Sequence, residues 1–243
     1  MFPALYTAHH GTYQEDLPFW LDLAAQQKGT VLELGCGSGR VLLPLARAGF
    51  RTVGLDNDLD MLVYLRAHCP EHLDPLPLVF VGDLCNFQLG AGFPLIILPC
   101  NTWSTLSQGQ RAQALGCIRQ HLLPSGLFAV SVPSPDLLRS LPARSDPIYE
   151  DSYPHPDDGS PVQVSSGWRR GTAQFTVTWH YDHLLPDGSV QRHTVRLRHD
   201  LSSAAQYQQE LIAAGLAIQT VYGDFDGSAY SPNSQELILV ARR

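Results

Sequence analysis

Short apolar runs alternate with stretches of helical periodicity over the first 135 positions. Val31-Leu32-Glu33-Leu34 reads as a short strand ending in glycines. Over 40–48, Val41, Leu42, Leu45 and Ala48 fall at helical spacing, and Gly49 closes the segment. Pro44 is tolerated there because it lies near the first turn, where a missing N–H matters least. Residues 52–55 predict a second strand, ending at Asp56. Asn57 or Asp58 then caps a helix to about Cys69, which Pro70 stops. Residues 78–81 read as a third strand, followed by Gly82-Asp83. Residues 95–98, between Pro94 and Pro99, are continuously apolar, as suits a strand covered on both faces. Ser107 and Gln110 have the spacing of a capping box ahead of a helix that turns Leu115, Ile118 and Leu122 inward. Pro124-Ser125-Gly126 leads into a fifth strand over 127–132. Repeated strand–helix units of this length predict an α/β fold with a parallel, doubly wound sheet.

The pattern then changes. Residues 134–161 are rich in Pro, Ser and Asp and read as a long loop. Phe175, Val177, Trp179 and Tyr181 alternate with Thr176, Thr178, His180 and Asp182, the period of a half-exposed strand. Leu185-Pro186-Asp187-Gly188-Ser189 reads as a hairpin turn, 190–199 as the returning strand and 163–170 as a third. The expectation is a single domain over 1–243 with an antiparallel β insertion at 134–200. That insertion is read as a lid or a dimer surface, its Trp179/Tyr181 face packed on the main sheet. A last helix over 202–214 and two strands, 216–222 and 236–241, close the chain, and no repeat interrupts it.

Composition narrows the function classes. The chain has 243 residues, enough for one full core. Its net charge of −7 disfavours a polyanion, so no nucleic-acid partner is expected. No run approaches the ~20 apolar residues of a membrane helix, so no membrane partner is expected either. The opening MFPALYTAHHGTY lacks the basic and apolar regions of a secretory signal, so the expected location is the cytoplasm. Five cysteines without a CxxC spacing indicate free thiols, neither a disulfide framework nor a zinc site. Lys28 is the only lysine and lies outside any GxxxxGK context, which removes P-loop and Schiff-base chemistry.

The chemistry concentrates in VLELGCGSGR. Gly35, Gly37 and Gly39 form a turn after a strand, where backbone can approach a ligand closely. Arg40 stands where a dinucleotide fingerprint would place its third glycine. Asp56, ending the next strand, can accept from both hydroxyls of a ribose. Asp83 can accept from an exocyclic amine such as adenine N6, and the Leu84 N–H can donate to a ring nitrogen. Three strand ends thus converge on one crevice.

These segments resemble the class I S-adenosylmethionine-dependent methyltransferases. VLELGCGSGR is similar to motif I, VGLDN to the ribose acid and GDL to the adenine site. LIILPCNTWSTL and LLPSGLFAVSV resemble the fourth-strand motif and the segment before the fifth strand, and ELILVARR resembles the antiparallel seventh strand. The resemblance implies a Rossmann-like, seven-stranded sheet with its last strand antiparallel, and S-adenosylmethionine as cofactor. It implies cofactor contacts from Tyr13, Glu33, Gly35, Cys36, Gly37, Asp56, Asn57, Met61, Asp83, Leu84 and Pro99. Among small-molecule members, including sugar N-methyltransferases, Tyr6 and Tyr13 match two tyrosines of an opening segment, with Thr7 in place of the usual Asp. Thr105 stands where many such relatives carry a His. PCNT departs from the (N/D)PP(Y/F) motif of nucleic-acid amino-methyltransferases.

The implied reaction is SN2 methyl transfer to a nitrogen or oxygen of a small molecule, driven mostly by positioning and desolvation. Candidate bases are Tyr6, His9, His10, Tyr13 and His155, and Trp103 is a candidate wall of the substrate site. His180, His183, His193 and His199 cluster on the insertion without acid or Cys spacing for a metal, so no metal is expected. A homodimer is compatible with the insertion. Two other classes compete. One is a non-catalytic cofactor-binding sensor or assembly protein. The other is an NAD(P)-linked oxidoreductase, against which the broken fingerprint and the missing Tyr-x-x-x-Lys pair both weigh.

Overall fold

In a computed structural model, described here for residues 2–243, the apolar runs form one seven-stranded sheet. Its strands are β1 (Val31–Leu34), β2 (Thr52–Asp56), β3 (Leu78–Val81), β4 (Phe93–Leu98), β5 (Leu122–Pro133), β10 (Ala217–Tyr222) and β11 (Glu236–Arg242). Their order is β10-β11-β5-β4-β1-β2-β3. The five strands from β5 to β3 run parallel, and β11 is antiparallel to both β5 and β10. The chain reverses direction of winding between β1 and β4, where an open α/β sheet leaves a crevice at its carboxyl ends. Continuous hydrophobicity in β4 has the expected cause, since Leu95, Ile96, Ile97 and Leu98 are all buried. Pro94 lies inside β4 instead of before it, at a register shift against β5 that leaves no ladder bond to lose.

Helices cover both faces. They are α1 (Phe2–His10), α2 (Leu17–Gln27), α3 (Leu42–Arg47), α4 (Leu59–His68), α5 (Thr102–Thr105), α6 (Gln108–His121), α7 (Pro135–Ser140) and α8 (Ala204–Ala213). The Asp58 side chain accepts from the N–H groups of Asp60 and Met61 and starts α4. Ser107 with Gln110 and Ser203 with Gln206 form capping boxes on α6 and α8. Among the described residues, no helix is long and apolar enough to cross a membrane.

The second sheet is β6 (Arg144–Pro154), β7 (Pro161–Arg170), β8 (Gln174–Leu184) and β9 (Val190–Asp200), antiparallel in chain order. Two expectations fail here. The segment 134–161 is not one long loop but α7 and the whole of β6. Its composition hides the strand because β6 is an exposed edge with register shifts around Pro147 and Glu150, the places where proline and unpaired polar residues are tolerated. The Trp179/Tyr181 face, in turn, packs on α1 and not on the main sheet. Leu5 is buried against Val162, Val164 and Tyr181, with Phe2 and Trp179 beside them. The second sheet is tied to the main body through α5 against β9, and by Leu138, Phe175 and Leu201.

Candidate functional site

Two contiguous cavities open at the carboxyl end of the main sheet. The first, about 400 Å³, is lined by Gly35, Asp56, Asn57, Asp83, Leu84 and Gln110, among others. The Asp56 carboxylate shapes its floor. Oδ2 accepts the Gly37 N–H at 2.7 Å and Oδ1 accepts the Asp58 N–H at 2.9 Å. Each oxygen retains a lone pair for a diol. Asp83 Oδ1 accepts the Cys85 N–H at 2.8 Å, which fixes the direction of its carboxylate. Gly35, Gly37 and Gly39 all have left-handed φ, and a Cβ on Gly37 would meet nothing within 4 Å. At Gly37 the loop is therefore a cradle of bare backbone facing open space.

The second cavity, about 350 Å³, lies between the main sheet and the second sheet. Its walls come from α1 (Tyr6, His10), the loop after it (Tyr13, Asp16), β5 (Ser131), β8 (Trp179, Tyr181), β9 (Val195, Leu197, His199) and β11 (Glu236). Tyr6, Cys100 and Leu197 line both cavities and form the boundary between them. Cys100 and Asn101 both adopt left-handed φ at that boundary, a conformation that strains non-glycine residues by roughly 1 kcal/mol each.

One ion pair braces the floor. Arg40 forks onto Asp16, Nη1 to Oδ1 at 2.7 Å and Nη2 to Oδ2 at 2.6 Å. Nη1 also donates to the Tyr13 carbonyl and Nη2 to Cys100 Sγ, while Trp20 Nε1 donates to Asp16 Oδ2. Arg40, which breaks the dinucleotide fingerprint, thus ties the glycine loop to α2 and to the end of β4.

The titratable groups of the second cavity are mostly held neutral. Burial lowers His10 to about 4, with the neighbouring His9 adding to it, and burial alone lowers His199 to about 4. Burial raises Tyr6 to about 12 and Cys100 to about 11, Arg40 opposing the latter. Tyr6 and Tyr13 are therefore hydrogen-bond donors at neutral pH and poor bases. Glu236 is the exception in kind. Burial raises it to about 8, with Asp224 and Asp16 adding repulsion, and its Oε2 is sealed without a hydrogen-bond partner.

Not every predicted site residue reaches these cavities. Trp103 is fully buried and packs edge-on to Phe128 in the core, so it is not a substrate wall. His155 lies at the β6–β7 turn of the second sheet and lines neither cavity. His9 bonds Tyr181 Oη through Nδ1 at 3.0 Å and faces Glu150, bracing α1 on β8. Cys36, Met61 and Pro99 are buried and line neither cavity, and the Cys36 Sγ fills space against Gly54. Glu33 is buried beneath the loop, its carboxyl pushed well up by burial and its Oε2 unpartnered. His155, Asp158 and His183 place ligand atoms within 4.8 Å of one another. There the two rings stack at 4.0 Å, and His155 Nδ1 already accepts the Asp157 N–H.

Asp16, Cys100, His199 and Glu236 were not singled out as site residues by sequence. Glu236 carried a usable signal, an isolated acid opening an otherwise apolar strand. The others are local polar residues whose meaning depends on partners 24 to 95 positions away.

The profile of the Methyltransferase domain family matches residues 31–126. The dTDP-3-amino-3,6-dideoxy-alpha-D-glucopyranose N,N-dimethyltransferase of Streptomyces fradiae is 27% identical, over 82% of this chain and 74% of its own length. An S-adenosylmethionine-dependent methyltransferase from Clostridium acetobutylicum superposes with a TM-score of 0.81 at 14% identity, covering 95% of this chain and 91% of its own. CalS10, an amino pentose methyltransferase from Micromonospora echinaspora, superposes at 0.73 with 19% identity, covering 98% and 96%.

Proposed function

We propose that the chain is a class I S-adenosylmethionine-dependent methyltransferase and that the 350 Å³ cavity holds its acceptor, a small molecule methylated on nitrogen or oxygen. The observation that carries this is the shared boundary. A nucleoside in the first cavity and an acceptor in the second meet only across Tyr6, Cys100 and Leu197. When bound, S-adenosylmethionine supplies a methyl group already activated by the sulfonium.

The chain's own residues bind, orient and exclude water. Asp56 accepts from the ribose, Asp83 and Leu84 hold the base, and the backbone around Gly35 and Gly37 leaves room for the rest of the cofactor. The unpartnered Oε2 of Glu33 is an acceptor in waiting beneath the same loop. Tyr6 and Trp179 wall a dry acceptor site, where positioning and desolvation supply most of the rate. α1 and the second sheet act as its roof, the role proposed for the insertion.

The amino-sugar activity of the Streptomyces fradiae relative makes a nucleotide-linked 3-aminohexose the first acceptor to try. The test is mass-spectrometric detection of methyl transfer to that sugar and to its 3-hydroxy counterpart, with a panel of small amines and phenols beside them. A mass gain of one or two methyl groups on any acceptor supports the reading. Cofactor binding with no methyl transfer to any member sends the site back to a non-catalytic sensor.

A further inference from the structure

Glu236 is the carboxyl group in the acceptor cavity for which the fold provides no partner. It opens β11 beside β5 and lines the cavity, and among the described residues its buried Oε2 has no hydrogen-bond partner. Among the described residues it forms no ion pair. Arg40, which lines the same cavity, is engaged by Asp16, the Tyr13 carbonyl and Cys100. Its charged neighbours, Asp16 and Asp224, are both acids. A buried carboxyl without donors is unfavourable in the empty protein, so a ligand that donates to it is strongly discriminated from one that does not. Such groups mark functional sites when they line a cleft.

We infer that Glu236 binds the protonated amine of the acceptor and takes its proton ahead of methyl transfer. This rests on the second cavity being the acceptor site, as proposed above. At neutral pH the Glu236 proton leaves to solvent as the acceptor enters as an ammonium ion and pairs with the carboxylate so formed. One N–H proton passes to Glu236, leaving a neutral amine and a carboxylic acid. The nitrogen lone pair then forms the N–C bond while the C–S bond breaks, its electron pair staying on sulfur as the thioether. The product is again an ammonium, and Glu236 keeps its proton as product departs. A carboxyl that titrates near neutrality, as burial makes this one, suits that proton transfer. A hydroxyl acceptor has no positive charge to offer and gains nothing from the site.

The experiment titrates cyclohexylammonium and cyclohexanol into protein loaded with S-adenosylhomocysteine, read by calorimetry and by the fluorescence of Trp179, which lines the cavity. Saturable binding of the ammonium, weakened about tenfold or more in Glu236→Gln and restored in part in Glu236→Asp, is the expected result. The alcohol should bind all three proteins alike. S-adenosylhomocysteine affinity unchanged across the variants certifies their fold. Equal binding of ammonium and alcohol by the wild type, no saturable ammonium binding, or an unaffected Glu236→Gln overturns the inference. A protein that takes no S-adenosylhomocysteine yet still pairs the ammonium through Glu236 would instead remove the proposed function and leave this assignment standing.

Discussion

His199 Nδ1 lies 2.8 Å from Ser104 Oγ, and that hydroxyl already donates its only proton to the Asn101 carbonyl at 2.8 Å. Nδ1 must therefore be the donor. The neutral imidazole is locked in one tautomer, with the Nε2 lone pair left over on a ring that lines the acceptor cavity. The contact also joins β9 of the second sheet to the strained end of β4. Ser104→Ala leaves a buried imidazole N–H unpaired and should lower stability by about 1–3 kcal/mol. Acceptor KM should rise while the S-adenosylhomocysteine Kd stays within twofold. Thermal unfolding and calorimetry check the two halves separately.

Asp56→Ala should weaken S-adenosylmethionine binding about ten- to hundredfold, through lost hydrogen bonds to a charged acceptor. Asp56 also pins the Gly37 N–H at 2.7 Å, so the glycine loop loses an anchor in the same variant. Asp56→Asn keeps an acceptor oxygen and should fall between wild type and alanine. Titration calorimetry in that order is the check.

Two glycines of one loop should fail differently. A Cβ on Gly39 would stand 2.9 Å from Leu65 Cδ1 and 3.0 Å from Leu43 Cγ, inside the packing between α3 and α4. Gly39→Ala should lower the melting temperature. Gly37 faces open space, so Gly37→Ala adds only about 1 kcal/mol of left-handed strain and should mainly reduce cofactor affinity. Reversal of that order would contradict the cradle.

Acid should loosen the roof of the site before the rest. His10 and His199 are both lowered to about 4, below the ~6.5 of an unfolded histidine. Between those values the unfolded chain binds more protons, so stability falls as pH drops from about 6.5 toward 4, by at most ~3 kcal/mol for each group. Unfolding midpoints across that window, compared with His199→Phe, should show a flatter profile in the variant.

Glu236 has the opposite sign. Its folded value is raised to about 8, so the empty protein is favoured by its protonated form at low pH and loses that contribution as pH rises from about 4.5 to 8. Glu236→Gln should match wild type near pH 4 and exceed it at pH 8, by at most ~4 kcal/mol. Differential scanning calorimetry at the two pH values reads the difference. A variant that stabilises the protein at pH 8 and weakens ammonium binding is the pattern of a group kept for chemistry.

Much of the main sheet was legible because its signals are local. Asp58, Ser107 and Gly49 mark helix ends within four residues of the turns they govern, and β4 announces its double burial in four consecutive positions, 95–98. The crevice followed, since Asp56 and Asp83 sit at strand ends whose order the βα alternation implies. What stayed hidden depends on distant partners. Trp103 looked like a wall until Phe128 filled its other side. β6 carries Pro147 and three acids, and it is a strand only because β7 pairs it. Arg40 read as a defect in a motif because Asp16, its partner, is 24 residues away.

α1 gives the site a timetable. Tyr6 borders both cavities and His9 bonds Tyr181, 172 positions further along the chain. α1 is synthesised long before β7 and β8 and must therefore wait for them before it finds its place. The main sheet can bury β1 to β4 early through nearer contacts, but the acceptor cavity closes only with pairings of very long loop closure. During synthesis the protein passes through a stage with a nucleoside crevice and no acceptor chamber.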